Sequence, residues 1–240
     1  MRSVWLVAWL NRFEQRGMML FKTKKTESFP IPEIDEMVPP NLETATFALG
    51  WFWGPDAQFG TVKGIYRTRA GYTGGRKLNP TYRSLGNHTE AMQVDFDPSQ
   101  ISYEEIVDMV WQGHNPTRPA WSAQYMSAFW YENKAQLEVI EATSELQAKQ
   151  YGQQIQTPIL PLETFYIAED YHQKYSLQKY RGLMKKFNGM YPTFSDFLNS
   201  TAAARLNGFV AGRGNKELFE AEGHLYGFSE DELKSALRRY

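Results

Sequence analysis

Residues 44 to 59 constrain this chain more than any other stretch. Thr44-Ala45-Thr46-Phe47-Ala48-Leu49 is a β-favouring run, Gly50-Trp51-Phe52-Trp53-Gly54 is a glycine-bounded aromatic turn, and Pro55 to Phe59 can open a helix. A glycine at a strand-to-helix turn lets the backbone bend sharply, and the new helix aims unpaired N–H groups at whatever lies outside it. The side chain best placed there is Trp51, an indole with one N–H donor and no nucleophile. Three aromatic neighbours at one turn cannot all point inward. At least one of Trp51, Phe52 and Trp53 is expected to line the crevice.

Further along, Gly64 to Ala70 predicts a second strand, and Gly71-Tyr72-Thr73-Gly74-Gly75 with Asn79-Pro80-Thr81-Tyr82 predicts a long loop of the kind that carries function on a rigid scaffold. Glu90 to Phe96 alternates: Met92, Val94 and Phe96 share one face, and period two puts Glu90 on it as well. A carboxyl so placed is either desolvated, with a raised pKa, or reaches solvent from the strand end. Ser102-x-x-Glu105 is a capping box opening a helix with Tyr103, Ile106, Val107 and Val110 on one face. Tyr125 to Tyr131 reads as a strand. A helix follows from Asn133 toward Gln150 with Leu137, Ile140 and Leu146 inward, then a strand from Ile159 to Ile167.

Strands alternating with helices predict an α/β or α+β two-layer sandwich, a mixed central sheet flanked by helices. Three segments are expected: an irregular N-terminal extension over 1–40, rich in proline at Pro30, Pro32, Pro39 and Pro40; a packed domain over 41–190; and a helical C-terminal extension over 191–240. In the last, Asp196 to Phe209 predicts a helix, Gly212-Arg213-Gly214 a break, and Ser229 with Glu232 a second capping box.

With 26 basic and 27 acidic residues the net charge is −1, which gives no field for holding nucleic acid; the Lys22-Thr23-Lys24-Lys25 run reads as solvated tail. No stretch approaches a transmembrane span. Val4 to Leu10 behind Arg2 faintly suggests a signal peptide without a cleavage site, and the basic stretch through Arg16 is compatible with a transit peptide. A cytoplasmic monomer is expected, with a mitochondrial address as the alternative. The chain has no cysteine, which excludes disulfides, thiolate metal sites and cysteine nucleophiles. Glu169, Asp170 and His172 invite a metal reading, but a single histidine without a face-sharing partner reads as structural. Ser84, Ser122 and Ser127 lack a nucleophile elbow, and no phosphate loop or dinucleotide fingerprint occurs. No metal or other cofactor is expected.

Six motifs together resemble a known family. Gly50-x-Phe52-Trp53-Gly54, Gly71 to Gly75, Asn79 to Tyr82, His88-Thr89-Glu90-Ala91, Gln124-Tyr125-x-Ser127-Ala128 and Tyr171-His172-Gln173-x-Tyr175 follow the order and rough spacing of the peptide-methionine (S)-S-oxide reductases, the A-type methionine sulfoxide reductases. The likeness covers about residues 43 to 180. The tail around Leu206-Asn207-Gly208-Phe209 is similar to the extended C-terminus of animal-type members. The resemblance implies an α/β sandwich oxidoreductase acting on methionine sulfoxide, free or in peptides and proteins. It implies Glu90 as the acid facing the sulfoxide oxygen, Tyr82 and Tyr125 as its companions, and Phe52 with Trp53 as the methyl pocket. On that reading Glu90 belongs inside.

Two departures bear on activity. The nucleophile position is Trp51, and the usual Asp-containing segment ahead of Gln124 reads Pro119-Ala120-Trp121-Ser122. Without a thiol to form and resolve a sulfenic acid, the family chemistry is lost as written, so a pseudoenzyme that keeps the methyl-sulfoxide pocket is expected. Two other readings stand beside it. Residue 51 is selenocysteine, whose stop codon some translation tables render as tryptophan, and the enzyme is active; or Trp51, Trp53, Tyr82 and Tyr125 form an aromatic cage for a methylated cation with Glu90 as counter-charge.

Overall fold

A computed structural model describes residues 27–237, so the Val4 to Leu10, Arg16 and Lys22 to Lys25 readings lie outside the described residues. The first element is a single turn, α1 (Glu33–Glu36). The proline-rich reading provided no helix there; Pro32 precedes the turn rather than interrupting it, where its missing N–H costs nothing.

Six strands form one sheet: β1 (Glu43–Leu49), β2 (Ile65–Thr73), β3 (Thr89–Phe96), β4 (Ser127–Tyr131), β5 (Ile159–Pro161) and β6 (Tyr166–Ile167), in the order β5-β4-β1-β3-β2-β6. Neighbours are antiparallel except β4 and β5, so the sheet is mixed, as expected. The single strand expected over Ile159 to Ile167 is two short ones on opposite edges. Pro161 ends the first, and the chain then crosses the sheet to pair beside β2. Strand β2 runs on through Gly71-Tyr72-Thr73, residues assigned above to a loop. Gly71 is needed there because a Cβ would lie 2.3 Å from the Phe165 ring and 2.5 Å from the Tyr166 carbonyl oxygen. Strand β4 begins at Ser127, two residues later than expected.

Alternation along the strands divides the core. Phe47, Met92, Val94, Phe96 and Phe129 face a layer built on α2 (Trp53–Phe59), α3 (Tyr103–Gln112) and α4 (Lys134–Tyr151). Ala48, Ala91, Ala128 and Trp130 face the other way, under Leu160, Leu162 and Phe165. The Ser102–Glu105 capping box opens α3 as its spacing predicts. Helix α4 buries Gln136, Ile140 and Thr143, while Leu137 is half-buried and Leu146, expected inside, is 58% exposed. Thr143 takes the inward place because Trp111 Nε1 donates to its hydroxyl at 3.0 Å.

The C-terminal part builds a second core from α5 (Arg181–Met190), α6 (Phe194–Leu198), α7 (Thr201–Val210), α8 (Lys216–Glu222) and α9 (Glu230–Ala236). The helix expected over Asp196 to Phe209 is two, α6 and α7, because Ser200 caps a new start by accepting from Ala203 N–H. Asp35 of the N-terminal strap accepts the Thr201 and Ala202 N–H groups at 2.6 and 3.2 Å, so a carboxylate sits at the positive end of α7. Buried Arg205 ties α7 to the first core through the Gly60 and Ile65 carbonyls at 2.7 and 2.8 Å. Among the described residues, no helix is long and apolar enough to cross a membrane.

Candidate functional site

The aromatic turn lies where β1 hands over to α2. Gly50 takes φ 73°, a left-handed conformation that glycine adopts freely, and this turns the chain off the sheet. The three aromatics then separate. Phe52 is buried, Trp53 is half-buried, and Trp51 stands 49% exposed at the rim.

Beneath the turn, Glu90 enters from β3 and is 2% exposed. Gln124 Nε2 donates to its Oε1 at 2.9 Å, and Phe52 N–H reaches its Oε2 at 3.4 Å. Burial outweighs both bonds and pushes the carboxyl up to about 7. Both partners are N–H donors. In its acid form, Glu90 therefore has an O–H that neither of them can accept.

Tyr82 and Tyr125 meet hydroxyl to hydroxyl at 3.3 Å, and burial raises both pKa values. The Tyr125 oxygen accepts from Gln124 Nε2 at 2.9 Å and from the Trp51 indole, which can only donate. Within the tyrosine pair either hydroxyl can be the donor. Tyr82 is held through its backbone: its N–H donates to Glu169 Oε1 at 2.9 Å, while Tyr72 O–H donates to Oε2 at 2.7 Å.

The Trp53 indole is fixed on three sides. Tyr175 stacks on it at 3.9 Å and 6°, Phe52 lies 6.5 Å away, and its N–H donates to His172 Nδ1 at 3.2 Å. His172 is wholly buried, and burial takes its pKa down to about 3, so it is a neutral ring carrying its proton on Nε2. That Nε2 has no hydrogen-bond partner among the described residues. Glu169 and His172, considered above as metal ligands, are thus committed to the tyrosines and to Trp53.

All six residues singled out in the sequence, Trp51, Phe52, Trp53, Tyr82, Glu90 and Tyr125, converge here. Sequence reading did not assign roles to Gln124, Glu169 or Tyr175. Gln124 and Tyr175 stood inside the quoted motifs, but nothing in their spacing revealed which atoms they would hold. The two positions read above as departures both lie against Tyr125: Trp51 is 6.0 Å from its ring, and Trp121, 79% exposed, is 5.3 Å from it.

The sequence profile of the family described as peptide methionine sulfoxide reductase matches residues 43–203, which contain every residue of this cluster. The chain is 40% identical over 189 residues to the peptide methionine sulfoxide reductase of Drosophila melanogaster, covering 78% of this chain and 75% of that one. It is 36% identical over 176 residues to peptide methionine sulfoxide reductase A5 of Arabidopsis thaliana, covering 71% and 68%. Among solved structures, methionine sulfoxide reductase A of Corynebacterium diphtheriae superposes with a TM-score of 0.53 at 28% identity, over 66% of this chain and 86% of that one. Sheet, turn and sequence agree, and the chain belongs to the peptide methionine sulfoxide reductase family.

Proposed function

We propose that this protein binds methyl sulfoxides, as methionine sulfoxide in a polypeptide, without reducing them by thiol chemistry. The observation that carries this reading is the set of donors left over. The Glu90 acid proton has no acceptor among its assigned partners, which are both donors, the paired Tyr82 and Tyr125 hydroxyls offer one further O–H between them, and a sulfoxide oxygen is an acceptor. Phe52 and Trp53 would hold the methyl group beside them. Reduction needs a nucleophile at sulfur, and residue 51 is an indole in a chain with no cysteine.

The test is direct. With dithiothreitol as reductant, free and peptide-bound methionine sulfoxide should show no turnover above a heat-killed control, while dimethyl sulfoxide and a sulfoxide peptide should perturb tryptophan fluorescence saturably. Affinity should fall as pH rises through about 7, because ionisation removes the donor. Glu90→Gln keeps an N–H donor and should bind with no such pH dependence. Turnover, or binding that strengthens with pH, would overturn the proposal.

The same group gives a stability prediction. Its folded pKa lies above the ordinary 4.5, so between about 4.5 and 7 the folded state holds more proton than the unfolded, and stability falls as pH rises. At about 1.4 kcal/mol per pH unit the ceiling on that loss is about 3 kcal/mol. Glu90→Gln should therefore gain stability relative to the parent between pH 5 and pH 8, measured by urea denaturation. Equal stability curves would place Glu90 in a more solvated setting.

One observation favours a second reading. Trp51 is half exposed and makes only rim contacts with Trp53 and Tyr125, so a small selenocysteine fits the turn without disturbing the core. Mass spectrometry of the natural protein at residue 51 decides it. The cage reading has less support: Trp51 and Trp53 are edge to face at 6.1 Å, in direct contact, with no gap between them for a methylated cation.

A further inference from the structure

Beside Tyr125 lies a cleft of about 190 Å³ that Trp51 does not line. Trp121, Arg118, Met126, Pro158 and His114 help to line it, and Tyr125 is a wall common to it and to the candidate site. The volume is below the roughly 300 Å³ at which small-molecule pockets begin, so it has room for one side chain rather than a cofactor. Its charge is one-sided. No Asp or Glu lines it, and Arg118 is its one fixed charge. His114 adds none: burial lowers its pKa, and its ring nitrogens are engaged with the Val110 carbonyl at 2.9 Å and the Thr157 hydroxyl at 2.8 Å. Arg118 is exposed, and its guanidinium is unlike those of Arg69 and Arg205, which are locked to Asp95 and Glu222. Among its lining residues, Trp121 presents a mostly exposed ring tilted 31° to Tyr125. This is the segment read from the sequence as a departure from the family pattern.

We propose that this cleft receives the side chain next to the methyl-sulfoxide residue of a bound polypeptide, and that it selects an acidic one. The inference rests on the methyl-sulfoxide reading of the neighbouring pocket. Continuity through Tyr125 puts one peptide across both: the sulfoxide residue enters beside Trp53, the backbone passes over Trp51 and Tyr125, and the adjacent carboxylate meets Arg118 under the Trp121 ring. An aromatic rim suits this task because a planar ring gives contact area at little conformational cost. A guanidinium at its edge offers a fork of donors to a carboxylate.

The experiment measures binding of blocked pentapeptides with central methionine sulfoxide, flanked on either side by Asp, Ala or Lys, with dimethyl sulfoxide as the ligand too small to reach the cleft. On the full chain, an Asp neighbour should bind about fivefold tighter than Ala, and Lys weaker than Ala, with the preference shrinking in high salt. Arg118→Ala should erase the preference and leave the Ala peptide and dimethyl sulfoxide unchanged. Arg118→Glu should invert it in favour of Lys. Trp121→Ala should weaken every peptide and leave dimethyl sulfoxide untouched. Peptides that bind equally whatever the neighbour overturn the cleft while the parent reading stands. Peptides and dimethyl sulfoxide that all fail to bind overturn the parent reading and this subsite with it.

Discussion

Trp51→Cys should acquire dithiothreitol-dependent reduction of methyl sulfoxides where the parent is expected to show none, the largest change in activity expected from a single substitution. The surrounding parts are in place: an acid at about pKa 7, two tyrosines in contact, and Phe52 and Trp53 beside residue 51. The thiolate would attack the sulfoxide sulfur as Glu90 protonates the oxygen. The oxygen leaves on the cysteine as a sulfenic acid, the thioether departs, and dithiothreitol returns the thiol, releasing water and a cyclic disulfide. Residue 51 follows a glycine and lies just ahead of Phe52, the N-cap of α2, so the N–H groups of that first turn favour an anion nearby and the thiol pKa should fall. Because the indole is half exposed, the stability cost should be about 1–2 kcal/mol, less than for a buried tryptophan. The substitution also removes the indole donor to Tyr125. Gln124, which donates to both Glu90 and Tyr125, is then the remaining side-chain donor to that tyrosine oxygen outside the pair, and the double variant Trp51→Cys, Gln124→Leu should be slower than Trp51→Cys. A folded but inactive Trp51→Cys, checked by single-turnover reduction of a sulfoxide peptide, would show that the site has decayed beyond its nucleophile.

How much of this was legible depended on whether the signal was local. Period two in β3 placed Glu90 on the face of Met92, Val94 and Phe96, and there it lies, because a strand's alternation survives whatever packs on it. The β-run before Gly50, the Ser102 and Ser229 capping boxes and the aromatic turn were readable for the same reason. One failure was local: Leu146 was grouped with Leu137 and Ile140, but nine residues at about 100° each put it on the side opposite Leu137, and it faces solvent. The others were non-local. Ile159 to Ile167 looked continuous because pairing partners on opposite edges leave no mark in a nine-residue run. Gln124, Glu169 and Asp35 carry their roles through hydrogen bonds to residues far away in the chain. Their chemistry is ordinary until the fold supplies the partner.

The largest loss of stability should come from a pair that no local pattern announces. Asp56 of α2 and Lys174 are both fully buried, with Nζ 3.2 Å from Oδ1. Around them Lys174 Nζ donates to the Thr68 hydroxyl at 2.7 Å and to its carbonyl, Lys174 N–H donates to Asp56 Oδ2 at 3.0 Å, and Asn207 Nδ2 of α7 reaches the same oxygen at 3.1 Å. Burial pulls the lysine pKa down against the pull of Asp56, so the charged form depends on its partner. Lys174 also takes φ 46°, a conformation that a lysine keeps only when its surroundings hold it. Lys174→Met strands a carboxylate in the core and should cost about 3–5 kcal/mol, read from chemical denaturation at pH 7. The double variant Lys174→Met, Asp56→Asn removes the stranded charge and should recover part of that loss. A functional cost follows from position. Asp56 lies three residues after Trp53, and Lys174 stands between His172 and Tyr175, which hold the Trp53 ring. Loosening the pair frees that ring, so Lys174→Met should weaken dimethyl sulfoxide binding even where the variant remains folded, and the double variant should restore stability more than affinity. A cost below about 1 kcal/mol for Lys174→Met would mean that water reaches the pair and that α2 is positioned by its apolar contacts alone.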